Sequence, residues 1–134
     1  MLYLADKSAY ERRRHSEGVR TAFVELASTG TLATCEIVAL EVLYSARNLA
    51  DYEQLRADLD SLEWLGTTDT ALRRALTVQH DLAKRGQHRL PLPDLIIAAT
   101  AEQYGAAVLH YDKGYDLIAA VTGQPVVRVA PREG

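Results

Sequence analysis

The sequence contains a single cysteine, and this scarcity excludes several kinds of site. Because Cys35 is alone, no internal disulfide can form. The four histidines show no paired metal-ligand spacing, so a zinc site built from cysteine and histidine is not expected. The first residues carry neither a basic lead nor a long apolar stretch, so no signal peptide is expected. A lone thiol suits a reducing compartment, and the sequence predicts a cytoplasmic protein.

Long apolar runs and excess positive charge are also missing. Every uninterrupted apolar run is far shorter than the ~20 residues that a membrane span needs. The net charge is −3 and the pI is near 5.8, which argues against a protein that coats nucleic acid through overall positive charge. This balance is still compatible with a nuclease, because the metal site of a nuclease is itself acidic. The chain has no glycine-rich phosphate loop and no nucleophile elbow.

The order of apolar segments is typical of an α/β protein. The 134 residues, of which 48% are hydrophobic, fit one domain, and we expect a single domain over residues 1–134. Strands are predicted at 2–5, 31–33, 64–65, 107–111 and 126–129, and helices at 9–14, 17–28, 35–47, from about 51, at 69–86, 93–104 and 116–121. This alternation predicts a parallel sheet of about five short strands flanked by helices.

Four isolated acidic residues border apolar segments. Asp6 ends the run 2–5, Glu41 lies inside 38–44, Asp94 opens 95–99 and Asp112 follows 107–111. Because functional crevices lie at the carboxyl ends of parallel strands, Asp6 and Asp112 are expected at the same edge of the sheet. Asp94, at a predicted helix start, can reach that edge too. If the four converge, they form an oxygen-rich, negatively charged pocket that suits Mg²⁺ or Mn²⁺ and phosphodiester chemistry.

Each acid also has an ordinary structural interpretation. Asp6 and Asp94 are both good helix caps, and Asp112 with Lys113 and Gly114 is a plain turn sequence. Glu41 is different, because a carboxylate in the middle of an apolar helix needs a cation or hydrogen bonds. It either lines the acidic pocket or pairs with a buried arginine or lysine. The joint placement of the four acids, rather than any one of them, favours a site.

Four segments together resemble the PIN-domain ribonucleases, and most closely the VapC toxins of bacterial toxin–antitoxin pairs. The matching segments, in chain order, are YLADKSA at 3–9, LEVLY at 40–44, LPDLIIAATA at 92–101 and VLHYDKGYD at 108–116. Each segment is short by itself, but their order and spacing match across nearly the whole chain. The resemblance implies a parallel sheet flanked by helices and a Mg²⁺- or Mn²⁺-dependent endoribonuclease that cleaves cellular RNA. It also implies a small cognate antitoxin and a homodimer.

The resemblance carries roles over by position. Asp6 and Asp94 become the expected direct metal ligands, Asp112 helps to hold the metal or its waters, and Glu41 orients a water or accepts its proton. Ser8 is expected either to cap the first helix or to position a water near Asp6. These assignments make Asp6, Glu41, Asp94 and Asp112 the expected catalytic acids.

The fourth segment departs from the family pattern at two positions. His110 stands where many relatives have serine or threonine, and Gly114 stands where many have a second acid. We therefore expect Asp116 to replace that acid in part, as a supporting residue.

Two other classes of function compete with this interpretation. A Mg²⁺-dependent phosphatase or a phospho-receiver domain also places aspartates at strand ends. The Asp-x-Asp pattern of common phosphatases is absent after the first strand, and nothing marks one aspartate as a phosphoacceptor. A catalytically idle PIN-like binding module is the other alternative, which the substitutions at His110 and Gly114 leave open.

Overall fold

Five short strands form one parallel sheet, as the sequence predicts. The computed structural model describes residues 1–130. The strands are β1 (Tyr3–Ala5), β2 (Leu32–Thr34), β3 (Glu63–Trp64), β4 (Ala107–His110) and β5 (Val126–Arg128). Their order across the sheet is β3-β2-β1-β4-β5, and every neighbouring pair is parallel. The first strand in the chain is therefore the central strand of the sheet.

Helices connect every strand to the next, because a parallel strand can follow another only after a crossover. Within residues 1–130 they are α1 (Lys7–Arg12), α2 (Glu17–Ser28), α3 (Glu36–Tyr44), α4 (Leu49–Asp60), α5 (Asp69–Ala83), α6 (Leu92–Gln103) and α7 (Gly114–Thr122). All seven correspond to helices that the sequence predicts, although α1 begins and ends two residues before the predicted 9–14. None of these helices combines the length and the apolarity that crossing a membrane requires.

Helix α4 begins earlier than the start near 51 that the sequence predicts, whereas α5 begins at the predicted residue 69. Asp51 and Asp69 are good capping residues, but the side chain of Asn48 accepts from the Asp51 backbone N–H at 2.8 Å, and Thr68 does the same for Ala71 at 3.1 Å. The two aspartates lie instead in the first turns of α4 and α5. There their negative charge is favoured by the helix dipole.

The sheet forms the centre of the core. Leu4, Ala33 and Val108, on the three central strands, are completely buried. Because the strands are parallel, their carboxyl ends meet at one edge of the sheet. Asp6 follows β1 at this edge, Tyr111 and Asp112 follow β4, and Arg128 ends β5. The fold therefore gathers charged residues from distant parts of the sequence at this edge.

Candidate active site

An open cleft of about 520 Å³ lies at the carboxyl edge of the sheet. Its charged lining consists of five acidic residues, Asp6, Glu11, Glu41, Asp94 and Asp112, and three basic residues, Lys7, Lys113 and Arg128. The fold thus brings together all four acids that the sequence singles out. Glu11 is an additional acid that the sequence analysis misses; its signal is its position one helical turn after Lys7 on α1.

Asp6 serves as a helix cap and also lines the cleft. Its Oδ2 accepts a hydrogen bond from the Ser8 backbone N–H at 3.0 Å, which caps α1. Its Oδ1 accepts from the Tyr115 hydroxyl at 2.9 Å. The residue is only 2% exposed. Asp6 can have both roles because it lies between the end of β1 and the start of α1. Capping the helix and lining the cleft therefore do not exclude each other.

The sequence allows Ser8 to cap α1, but in the structure Asp6 is the cap and Ser8 lines the cleft. Its hydroxyl accepts a hydrogen bond from the Tyr111 backbone N–H at 2.9 Å. This bond ties the first turn of α1 to the residue that follows β4. It therefore holds the chain near Asp6 beside the chain near Asp112.

Asp94 lies inside α6 rather than capping it. The N-cap is Pro91, two residues before Pro93, and Asp94 is the third residue of the helix. Its side chain is 5% exposed. Oδ1 lies 3.4 Å from the Tyr115 hydroxyl, whose single proton it shares with the nearer oxygen of Asp6. Oδ2 is buried without a hydrogen-bond partner among the described residues. An unsatisfied buried carboxylate oxygen is costly, and a bound cation would satisfy it.

The pKa of Asp94 reflects the charges of the other acids in the cleft. Burial, followed by the charges of the nearby Asp6, Asp112 and Glu41, raises the pKa of Asp94 to about 7. In the metal-free protein this carboxyl group is therefore partly protonated at neutral pH. The charges of three other acids act on one side chain, which is the electrostatic sign of their convergence.

Tyr115 links the two aspartates through its hydroxyl. The residue is completely buried at the start of α7, and its hydroxyl lies within hydrogen-bond distance of both Asp6 and Asp94. Burial, followed by the charges of those two acids, raises the pKa of Tyr115 well above its ordinary value. The hydroxyl therefore stays protonated and acts as a donor. The sequence analysis misses this bridge, because the bridge depends on how α7 packs against the strand ends.

Glu41 reaches the cleft from α3. One carboxylate oxygen, Oε1, is buried without a hydrogen-bond partner among the described residues, and Oε2 lies 3.8 Å from Lys7 Nζ. Burial, then the charge of Asp6, raises the pKa of Glu41, while Lys7 lowers it. The side chain of Lys7 is 49% exposed. In the described part of the chain Glu41 therefore has a half-exposed lysine beside it, not the buried cation that its structural interpretation requires.

Asp112 combines the predicted turn with a place in the cleft. Its Oδ1 accepts from the Gly114 backbone N–H at 2.9 Å, which closes the turn into α7. A Cβ added at Gly114 would lie 3.4 Å from that same oxygen. The glycine therefore leaves space beside Asp112 where many relatives are expected to carry a second acid.

Asp116 does not line the cleft. Its carboxylate accepts a hydrogen bond from Arg128 and lies 3.8 Å from Nε2 of His110. Asp116 is therefore paired with Arg128, and the structure does not gather it with the other acids as a fourth corner.

The carboxylate oxygens of the cleft are the hard donors that suit a divalent cation such as Mg²⁺ or Mn²⁺. Within residues 1–130, as the side chains stand, no group of three or more His, Cys, Asp or Glu residues is arranged to hold a metal ion. Mg²⁺ is commonly held by one or two carboxylates, with water completing its coordination. The buried, unpaired oxygens of Asp94 and Glu41 fit such an ion.

Comparison with known proteins identifies the family. The PIN domain family model matches residues 8–121. Ribonuclease VapC51 of Mycobacterium tuberculosis is 44% identical over 129 residues, which cover 96% of this chain and 93% of that protein. Ribonuclease VapC21 of the same species is 45% identical and covers 92% and 91%. A DNA-bound VapBC structure from Salmonella typhimurium shares the fold with a TM-score of 0.74 at 20% identity, over 97% of this chain and 100% of that chain.

These matches confirm the resemblance inferred from the four segments. They also set aside the phosphatase and phospho-receiver alternatives, because the similarity to ribonucleases extends over almost the whole chain. The chain belongs to the PIN domain family, within its group of VapC ribonucleases.

Proposed function

We propose that the chain is a Mg²⁺- or Mn²⁺-dependent endoribonuclease, which hydrolyses phosphodiester bonds of cellular RNA at the acidic cleft and acts as the toxin of a toxin–antitoxin pair. The observation that carries the proposal is the convergence of Asp6, Glu41, Asp94 and Asp112 around the cleft. The raised pKa of Asp94 supports it, because a cation would relieve the repulsion among these acids.

The proposed roles follow from the position of each side chain. Asp6 and Asp94 would hold the cation, assisted by Asp112. When bound, the cation supplies a positive charge that activates water and neutralises charge developing on the phosphate. Glu41 orients the attacking water and accepts its proton, because its free oxygen is buried at the cleft. Tyr115 keeps the two aspartates side by side through its hydroxyl.

RNA is a polyanion, and the acids of the cleft repel it. Lys7 and Lys113 line the same cleft and offset part of this repulsion. Contacts of this kind go to the phosphates, so they position the backbone without reading the base sequence. Selection of a particular RNA therefore depends on the shape of the surface around the cleft.

We also propose two protein partners and a cytoplasmic location. A small antitoxin binds with a basic tail in the cleft, since arginine pairs strongly with carboxylates. A second copy of the chain covers the apolar groove between α5 and α6, where Leu72, Leu76 and Leu92 are 42%, 67% and 64% exposed. Exposed apolar grooves of this kind are typical of protein interfaces.

The test is to incubate the purified chain with total cellular RNA in EDTA, Mg²⁺ or Mn²⁺ and to map new RNA ends. We expect cleavage that EDTA abolishes and either cation restores. Asp94→Asn should be inactive, whereas Asp60→Asn, at a surface acid paired with Arg56, should remain active. Full activity of rigorously stripped protein in EDTA contradicts the metal role. No cleavage under any condition favours the idle binding module.

A further inference from the structure

Arg128 is a basic residue in an acidic site. It is the last residue of β5 and pairs in register with His110 of β4. Its side chain is 24% exposed and lines the same cleft as the five acids. Arg128 lies at the same edge of the sheet as Asp6 and Asp112, because all three residues are at the carboxyl ends of parallel strands.

Asp116 fixes the direction of this arginine. Its carboxylate accepts a hydrogen bond from Nη2 of Arg128. The same carboxylate faces His110, whose Nε2 lies 3.8 Å away. His110 is completely buried, and its Nδ1 accepts a hydrogen bond from the Asp112 backbone N–H at 3.1 Å. Because Nδ1 is an acceptor, the proton of the neutral ring is on Nε2, the nitrogen that faces Asp116. Asp116, whose side chain is half-exposed, thus lies between the buried His110 ring and the Arg128 guanidinium.

The guanidinium of Arg128 has donors to spare for a ligand. It carries five N–H groups in a planar fork that matches a phosphate, and the contact with Asp116 engages one nitrogen. Lys7 is beside Glu41, and Lys113 is an exposed lysine with a flexible stem. Arg128 is therefore the cation in the cleft whose position is set by a strand end and an ion pair.

We propose that Arg128 binds a backbone phosphate of the RNA next to the scissile phosphodiester, and that Asp116 is the positioning residue for Arg128 rather than a metal ligand. This inference rests on the proposed function, because it takes RNA to be the molecule that enters the cleft. It gives Asp116 a role outside the acidic cluster.

The first test measures RNA binding by fluorescence anisotropy. The probe is a labelled single-stranded RNA of mixed sequence, with Ca²⁺ as the cation and a gel to verify that the RNA stays intact. Arg128→Gln should weaken binding about tenfold at about 100 mM KCl, and should reduce the slope of log affinity against log salt by about 0.7, the value for one lost phosphate contact. Arg128→Lys should keep the slope and lose only part of the affinity, since the charge remains without the fork.

The matched control is Arg56→Gln. Arg56 also forms a surface ion pair, with Asp60 on α4, but it does not line the cleft. Its affinity and salt slope should equal those of the wild type. Because both ion pairs are partly exposed, the variants are expected to fold, and circular dichroism checks this.

The second test separates a positioning role from a metal-binding role for Asp116. Asp116→Asn should lower kcat about tenfold when Arg128 is present. In the Arg128→Gln background it should cause no further loss of kcat, because in a double-mutant cycle two residues that act through one contact are not additive. Mn²⁺ affinity, measured by calorimetry without RNA, should change by less than about threefold in every variant. A metal ligand at 116 would instead weaken Mn²⁺ binding strongly in both backgrounds.

The outcomes also distinguish this inference from the proposed function. RNA cleavage by the wild type with unchanged binding and salt slope in Arg128→Gln overturns the phosphate site and leaves the nuclease intact. RNA binding that depends on Arg128, without cleavage in any cation, supports the phosphate site and overturns the nuclease. Absence of RNA binding by the wild type overturns both.

Discussion

Among single residues, Asp94 shows most clearly how burial and charge act together. Its carboxyl group is buried beside three other acids, which disfavours its charged form and raises its pKa to about 7. The unfolded chain has no such environment, so its pKa there is near the ordinary 3.8. A folded pKa above the unfolded value means that stability is lost as pH rises through the folded pKa.

Asp94→Asn should therefore stabilise the metal-free protein at high pH. In EDTA, the wild-type Tm should fall relative to that of Asp94→Asn as pH rises from about 4 to about 8, because only the wild type must bury this charge. Calorimetric scans across this pH range provide the measurement. Added Mg²⁺ or Mn²⁺ should raise the Tm of the wild type and not that of the variant. If Tm depends on pH in the same way for the two proteins, the pKa of Asp94 is not raised in the fold.

Glu41→Gln separates catalysis from stability at a second acid. Glu41 has a half-exposed lysine as its near cation, so the loss of that ion pair should reduce the free energy of unfolding by only ~0–1 kcal/mol. The rate should fall about 10²–10⁴-fold, because the variant cannot accept a proton from water. Cleavage rate and denaturant midpoint are measured on the same preparation. A large drop in midpoint with the rate per folded molecule preserved would remove Glu41 from the site.

The residues that could be predicted are those whose role follows from position in the chain. Asp6 and Asp112 are at strand ends, and parallel pairing alone brings such residues to one edge. The bridge made by Tyr115 could not be predicted, because it depends on the packing of α7. Arg128 could not be predicted by this rule, because the sequence predicts a strand through residue 129 and the structure ends β5 at Arg128.

At the scale of helices and strands, the location of a helix is easier to predict than the residue that caps it. The sequence predicts all seven helices, whereas the caps of α4 and α5 lie three residues before Asp51 and one residue before Asp69, the capping residues that the sequence favours. A cap is decided by backbone conformation: Asn48, with φ −162° and ψ 178°, is extended, which the side-chain pattern does not encode. Two good capping residues close together are indistinguishable in sequence.

The groove between α5 and α6 provides a test at this scale. Leu76→Glu should convert a homodimer to a monomer, because it places a charge in an apolar contact. The residue is 67% exposed, so the fold of the monomer should survive. Light scattering coupled to gel filtration measures the mass. Leu49→Glu, at a leucine of α4 that is 70% exposed outside this groove, should leave the mass unchanged. A monomeric wild type, or a dimeric Leu76→Glu, contradicts this interface.

At the scale of the molecule, the sequence predicts a parallel sheet but not the order of its strands. The order β3-β2-β1-β4-β5 puts the first strand at the centre, so the start of the chain contributes Asp6 to the middle of the active edge. Strand order is decided by packing between elements far apart in sequence. The acids could be expected to converge without knowing this order, because any parallel arrangement places strand ends at one edge.

The acidic cleft leads to a last prediction, that a metal ion and an arginine-rich antitoxin tail compete for the same carboxylates. A cation and the arginine side chains of an antitoxin tail would satisfy the same carboxylates, so they should exclude each other. A short arginine-rich peptide should inhibit RNA cleavage, and the concentration required should rise with Mn²⁺ and with salt. The control is the same peptide with citrulline replacing arginine, which keeps the shape and removes the charge. Inhibition that is equal for the two peptides, or insensitive to Mn²⁺, would place the antitoxin contact outside the acidic cleft.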